Sequence, residues 1–248
     1  QAPHFPAYWG DQPGTSGPVY IGAVIVFLFV LGMFLLGGFS KWWIAGVTLL
    51  AVLLSWGHNL MWLTDLFYRY FPYYGKFRTV SMFLVVAQWG LPLVGVLALQ
   101  KLWDNGIPKE RFRRALKYAT GIAGGIALFF LLLGSWLFDF SGPSDAQMGL
   151  PAEVLAAMRS ERASMLRADA FRSLIFAALT AALVWAFYRR KIGRGLFVLL
   201  AAGLVLADLA GVDRRYLNYD TFVPERKAME IAATDADRAI LQDTEPGY

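Results

Sequence analysis

The chain has no cysteine and only two histidines, His4 and His58, among its 248 residues. Without cysteine, disulfides, thiolate metal sites and cysteine nucleophiles are all excluded. Two histidines leave little for a His-rich metal or haem site. Charge is scarce too, at 17% of residues, where a soluble domain carries about a quarter. That shortage argues against a soluble enzyme, a disordered segment and a nucleic-acid binder. No Walker motif, GxGxxG fingerprint, HExxH, paired CxxC or GxSxG occurs, and no heavily basic voltage-sensor helix. The net charge of +5 is scattered in short blocks rather than gathered into the basic patch that nucleic acid requires.

Apolar and aromatic side chains fill the space that charge leaves. Hydrophobic residues make up 57% of the chain, with nine Trp, eleven Tyr and nineteen Phe, and the mean hydropathy is +0.47. This is the composition of a polytopic membrane protein, whose rings gather at the bilayer interfaces. Six apolar runs approach the about 20 helical residues that cross a hydrocarbon core. They cover 19–37, 42–57, 80–99, 118–138, 174–188 and 196–212. Pro92 predicts a kink in the third. Gly121, Gly124 and Gly125 give the fourth a small-residue face suited to close helix packing. The expected fold is all-α, with about six transmembrane helices, interfacial helices in the outer loops and the start of a soluble C-terminal domain.

Lys and Arg set the expected orientation. Eleven of the 23 basic residues fall in the 29 positions of 38–41, 100–117 and 189–195, which the positive-inside rule makes cytoplasmic. The N-terminal segment 1–18, the loops 58–79 and 139–173 and the tail 213–248 then lie outside, the periplasmic side of a bacterial inner membrane. Pro151–Arg172 reads as a surface helix leading into the fifth span, with Val154, Leu155, Met158, Met165 and Leu166 near one side and Arg159, Arg162 and Asp169 pointing elsewhere. In the loop after the second span, Leu60, Leu63, Phe67 and Tyr70 keep helical spacing until Pro72 and Gly75 break it. That pattern predicts an interfacial or re-entrant helix, then a tight turn presenting Lys76 and Arg78. Thr234–Asp237 carries a Thr cap with acids in the first turn, a helix start in the tail. Gln1 is no initiator and the tail closes no domain, so the chain reads as an interior piece of a longer protein.

Polar residues collect at the outer ends of the spans. Trp9, Asp11, Gln12 and Tyr20 bring rings, a carboxylate and an amide to the first span, a set suited to a sugar as well as to a simple Gly/Pro entry turn. His58, Lys76 and Arg78 form a second group, whose cations would hold a phosphate or snorkel to lipid headgroups. Asp208, inside the sixth span, is costly in lipid and suggests function, with Arg214 or Arg215 as its expected partner. Polar side chains at midplane depth are few, chiefly Gln88 and Thr180, which argues against a transporter or a channel.

Several strings resemble the Bacteroidetes branch of the YfhO family: YWGDQPGTSGPVYIG, SWGHN, YGKFR, SERASMLRADAFRSL, ADLAGVDRRYLN and TFVPER followed by LQDTEPGY. They cover essentially the whole chain in the family's order. The family is similar to the GT-C class of glycosyltransferases, which take a sugar from a polyprenyl-phosphate carrier outside the membrane. The resemblance implies that Asp11, Gln12, Lys76 and Arg78 line the cavity for that donor. It also implies a catalytic acidic residue in a first outer loop preceding Gln1, so no catalytic residue is assigned here.

The expected function is therefore part of a membrane-embedded, glycosyltransferase-like protein. Lys76 and Arg78 would grip the donor phosphate, Trp9, Asp11 and Gln12 would contact sugar or acceptor, and Asp208 would brace the cavity. A divalent metal ion is the one cofactor left open. Membrane lipids, the polyprenyl-phosphate sugar donor and other membrane proteins are the expected partners. The competing reading is a non-catalytic integral membrane subunit or accessory protein of a larger complex.

Overall fold

The computed structural model describes residues 8–10, 19–76, 79–104, 106–217, 219 and 222. Residues 1–210 form one compact unit and 211–248 another. Among the described residues the fold is all-helical. The helices are α1 (Ala23–Leu35), α2 (Ser40–Ser55), α3 (Met61–Tyr70), α4 (Leu84–Trp103), α5 (Lys109–Leu137), α6 (Pro143–Gln147), α7 (Ala152–Tyr188) and α8 (Arg194–Tyr216). Most of 213–248, including the expected helix start at Thr234–Asp237, lies outside the described residues.

Among the described residues, four stretches are long and apolar enough to cross a membrane: 80–103, 109–137, 152–188 and 194–216. A fifth is added if α2 and the helical stretch 57–70, which meet at 115°, count as one broken span. The six spans expected from the sequence thus become four or five, because the first run shortens to the 13 residues of α1. At about 1.5 Å per residue α1 is roughly 20 Å long, against a hydrocarbon core of about 30 Å. Gly22 (φ +101°) and Gly38 (φ +81°) bound the run in left-handed backbone that L side chains avoid.

Short as it is, α1 is the centre of the bundle. It is apolar all round and packs against α4, α5 and α7, as helices without a polar face do. Val24, Phe27, Leu31 and Leu35 meet Phe112, Ala115 and Ala119 of α5, Ala177 and Val184 of α7, and Phe197 of α8 in one buried cluster. α2 packs on α4 at the side, and a second small cluster of Leu54, Leu63 and Tyr74 lies under the α2–α3 bend.

The helical spacing read after the second span holds. α3 runs from Met61 to Tyr70 and a turn around Pro72 follows. Leu63 is buried, with Leu60 and Phe67 packed beside it, while Tyr70 faces outward. Gly57 makes the break before α3, with φ +54° and Val80 Cγ2 only 2.9 Å from where a Cβ would stand. The third span runs as one helix through Pro92.

Three expectations need correcting. The surface helix 151–172 and the fifth span are a single helix, α7, of 37 residues, roughly 55 Å long. No Gly or Pro occurs between Ala152 and Tyr188, so nothing interrupts the backbone ladder where polarity changes. Arg162 also does not point away from the apolar side. Met158, Arg162 and Ala170 share the buried face of α7.

Gly121, Gly124 and Gly125 of the fourth span do not mediate close packing either, whereas Gly134 of the same span does, with Leu166 Cδ2 2.6 Å from where its Cβ would stand. A Cβ at Gly121 or Gly125 would meet nothing within 4 Å, and at Gly124 only Leu174 Cδ1 at 3.7 Å. A tight backbone crossing lies between α1 and α4, where a Cβ on Gly32 would stand 2.7 Å from Val94 Cγ1 and 2.8 Å from the Val94 carbonyl oxygen. A backbone carbonyl cannot swing aside as a side-chain end can. Gly32→Ala should therefore destabilise the protein by about 1–3 kcal/mol, the usual cost of overpacking. Gly125→Ala should be neutral or about 0.5–1 kcal/mol stabilising. Thermal unfolding of both variants in detergent checks the pair, and equal melting shifts would contradict the packing.

Candidate functional site at the polar end

Tyr20 and Gly22 precede α1, and at this end of the bundle α7 contributes Arg172 and α8 contributes Asp208. Asp208 is fully buried. Its Oδ1 accepts the Tyr20 hydroxyl at 2.7 Å, and its Oδ2 accepts the Val24 amide at 3.1 Å. The Ala23 amide donates in turn to the Tyr20 hydroxyl at 3.2 Å. Two of the four amides left without helical partners at the start of α1 are thus satisfied by side chains. The carboxylate also lies against the positive end of the helix dipole. Gly22 is required for this approach: a Cβ there would stand 3.0 Å from Asp208 Oδ2.

Arg172 completes the cluster. Its Nη2 lies 3.8 Å from Asp208 Oδ1, and its guanidinium carbon is 5.2 Å from the centre of the Tyr20 ring. Asp208 is therefore held by Arg172, where the sequence pointed to Arg214 or Arg215. Arg214 is exposed on the last turn of α8. Nε and Nη1 of Arg172 are buried and have no hydrogen-bond acceptor among the described residues. Arg172 was missed in the sequence reading, although a cation two residues before the fifth apolar run was visible there.

A second buried pair ties the preceding segments down. Arg162 makes a two-point contact with Asp145, Nη1 to Oδ2 at 2.6 Å and Nη2 to Oδ1 at 2.9 Å. Arg162 Nη1 also donates to the Phe140 carbonyl at 2.8 Å, and Nη2 to the Tyr8 carbonyl at 3.4 Å. Asp145 Oδ2 accepts the Gly142 amide at 2.8 Å, closing the first turn of α6. Phe140 adopts a left-handed φ of +55°, which costs a non-glycine residue about 1–3 kcal/mol; the bond from Arg162 helps hold it. The Arg162 guanidinium, with the Gly142 amide, keeps the Asp145 carboxyl down at about 2 against the opposing effect of burial. The signal for this pair was the spacing Leu155, Met158, Arg162, Leu166, which sets an arginine in an apolar stripe.

The remaining sequence candidates divide. Trp9 is half-buried, its ring packed on Phe138 (5.6 Å between centroids) and Phe140 (5.3 Å). Tyr20 and Asp208 come together as described. His58 and Lys76 are exposed around the α2–α3 bend. Asp11, Gln12 and Arg78 lie outside the described residues. Among the described residues no group of three His, Cys, Asp or Glu side chains is placed to hold a metal ion.

Breaking one partner of a buried ion pair strands the other, at about 3–5 kcal/mol. Arg162→Met or Asp145→Asn should therefore release the 138–147 loop, read as faster amide exchange there and lost Trp9 packing. The double variant should cost less than the sum of the two. Because the folded Asp145 pKa is depressed, its contribution is complete above the ordinary carboxylate value near 3.8 and fades as pH falls toward about 2. Exchange of this loop that does not accelerate across that window would refute the assignment.

No protein-family model matches the chain, and neither a curated protein nor a solved structure shows significant similarity to it.

Proposed function

We propose that this chain is part of an integral membrane protein of a bacterial inner membrane that handles a polyprenyl-phosphate-linked sugar at its outer face, in the manner of a GT-C glycosyltransferase. The observation that carries the reading is the pair of buried Arg172 donors without an acceptor among the described residues. Nη2 is turned to Asp208, while buried Nε and Nη1 have no acceptor among the described residues. Nε and Nη1 lie on either side of the Cδ stem, so they offer a phosphate two separate charged donors, each good for one contact, rather than one fork. Asp208 and the Tyr20 ring fix the guanidinium's direction, so little side-chain freedom is lost on binding. The family resemblance supplies the rest: Lys76 and Arg78 as further phosphate ligands, and Trp9, Asp11 and Gln12 toward sugar or acceptor.

In such a reaction an acceptor hydroxyl attacks the anomeric carbon, a carboxylate takes its proton, and polyprenyl phosphate leaves. Cations at the phosphate stabilise the charge that develops on it. Asp208 is not the base. Its two oxygens are occupied by the Tyr20 hydroxyl and the Val24 amide, and it serves instead to position Arg172. Asp145 is likewise committed to Arg162.

The commitment of both buried carboxylates to internal partners is also the observation that favours the second reading, a non-catalytic subunit of a membrane complex. Arg172→Gln in the full protein separates the two. On the transferase reading, envelope glycan transfer falls roughly tenfold or more, as for loss of one charge-stabilising donor, while protein level in the membrane is unchanged and Arg172→Lys retains part of the activity. Normal glycans with normal protein level would remove the phosphate role, and co-purification with other membrane proteins without bound sugar-lipid would favour the subunit.

A further inference from the structure

One cavity lies away from the polar end. It is a groove of about 1240 Å³ between the first turns of α5 and the last turns of α7. Five basic side chains line it, among them Arg113, Lys117 and Arg189, against one acid, Glu110. The aromatic lining comes from Trp185, Tyr188 and Tyr118. Phe112 and Tyr188 make a rigid floor, their rings stacked 3.7 Å apart, and the Tyr188 hydroxyl donates to the Ile107 carbonyl at 3.1 Å. Among the described residues one of these cations is partly neutralised: Arg113 lies 3.8 Å from Glu110, with both side chains exposed.

The groove does not end at the charges. Farther along α5 the lining reaches Gly121, and a Cβ on Gly121 or Gly125 would meet nothing within 4 Å. Ile122 and Ile126 flank them and are exposed. A shallow apolar furrow thus runs from the cationic mouth along a helix apolar enough to cross a membrane. Trp185 stands at the junction, with Lys191 Nζ 4.9 Å and the Arg189 guanidinium carbon 5.9 Å from its ring centre. Trp and Tyr occupy the headgroup level of a bilayer, and basic pockets between spanning helices at that level bind anionic headgroups.

We propose that this groove is a binding site for one anionic glycerophospholipid. The phosphodiester lies among Arg113, Lys117 and Arg189, and an acyl chain lies along the Gly121–Gly125 furrow. Charge selects the headgroup, since five cations and one acid favour a net-negative lipid over a zwitterionic one. The furrow selects a lipid over a soluble phosphate, which would leave the apolar half of the site uncovered. The bound lipid would cover the α5–α7 seam at the basic end, where the floor is a single ring pair.

The test uses the purified full protein, delipidated in mild detergent and titrated with dioleoyl phosphatidylglycerol or dioleoyl phosphatidylcholine, with bound lipid counted by native mass spectrometry. The first phosphatidylglycerol should bind roughly tenfold more tightly than phosphatidylcholine, a ratio of the size expected for a few partly exposed cations. The triple variant Arg113→Gln, Lys117→Gln, Arg189→Gln should abolish the preference, and Arg113→Lys with Arg189→Lys should keep it. Millimolar inorganic phosphate should leave the lipid in place. Equal binding of the two lipids, a preference that survives the triple variant, or displacement by phosphate would each overturn the proposal.

Fluorescence gives a readout that does not depend on charge variants. In phosphatidylcholine vesicles carrying a minority of brominated phosphatidylglycerol, the protein should be quenched more than by brominated phosphatidylcholine. Trp185→Phe should remove that excess. An excess that persists in Trp185→Phe would place the lipid elsewhere.

Discussion

Asp208 is a carboxylate without access to water, and donors from two other segments converge on it. The Tyr20 hydroxyl, the Val24 amide and the Arg172 guanidinium come from the approach to α1, its first turn and α7. An uncompensated buried charge would cost many kcal/mol, so this meeting fixes where three helices lie with respect to one another. α1 begins where its amides reach the carboxylate. α7 must turn Arg172 toward it, and α8 must bring Asp208 to the same depth. The short central helix therefore has an anchored start, and the apolar packing of Val24, Phe27, Leu31 and Leu35 follows from that register.

The molecule is chemically two-ended. At one end the charges are buried and held by internal partners, in the Asp208 and Arg162–Asp145 clusters, with two Arg172 nitrogens left without an acceptor among the described residues. At the other they are mostly exposed, largely of one sign and interleaved with rings, with Arg194 over Trp103 and Lys191 over Trp185, while half-buried Lys41 lies over Trp42. Buried pairs give geometry, because each partner is costly to leave alone. Exposed cations beside aromatic rings give adhesion to an anionic interface at little structural cost. The proposed chemistry and the proposed lipid site therefore belong to opposite ends, and each uses the form of charge its surroundings allow.

Much of this was legible in the chain. The apolar runs name the helices, the loss of helical spacing at Pro72 and Gly75 marks the end of α3, and Pro151 marks the start of α7. The errors have a common cause. Apolar composition locates a segment in a membrane but does not report backbone continuity, so α7 was divided where its polarity changes although no breaker lies there. Glycines at helical spacing advertise a packing face, yet Gly121 and Gly125 face open space while Gly32 carries a tight crossing. Nothing local distinguishes them, because the partner helix decides. Arg162 was assigned to the outside for its charge, although its spacing put it among apolar residues.

The absence of cysteine, the scarcity of charge and the clustering of Lys and Arg in three short connections determined that the chain is helical, membranous in composition and two-ended. Those properties are sums over residues and need no neighbours in space. Which charges meet was decided only by tertiary structure, since Tyr20 and Asp208 are 188 residues apart in the chain. Ion pairing inside a low-dielectric bundle depends on distances of a few ångströms, and helix register alone sets those. Asp208 was visible as costly in the sequence; its partner, Arg172, became visible only once α1, α7 and α8 were packed.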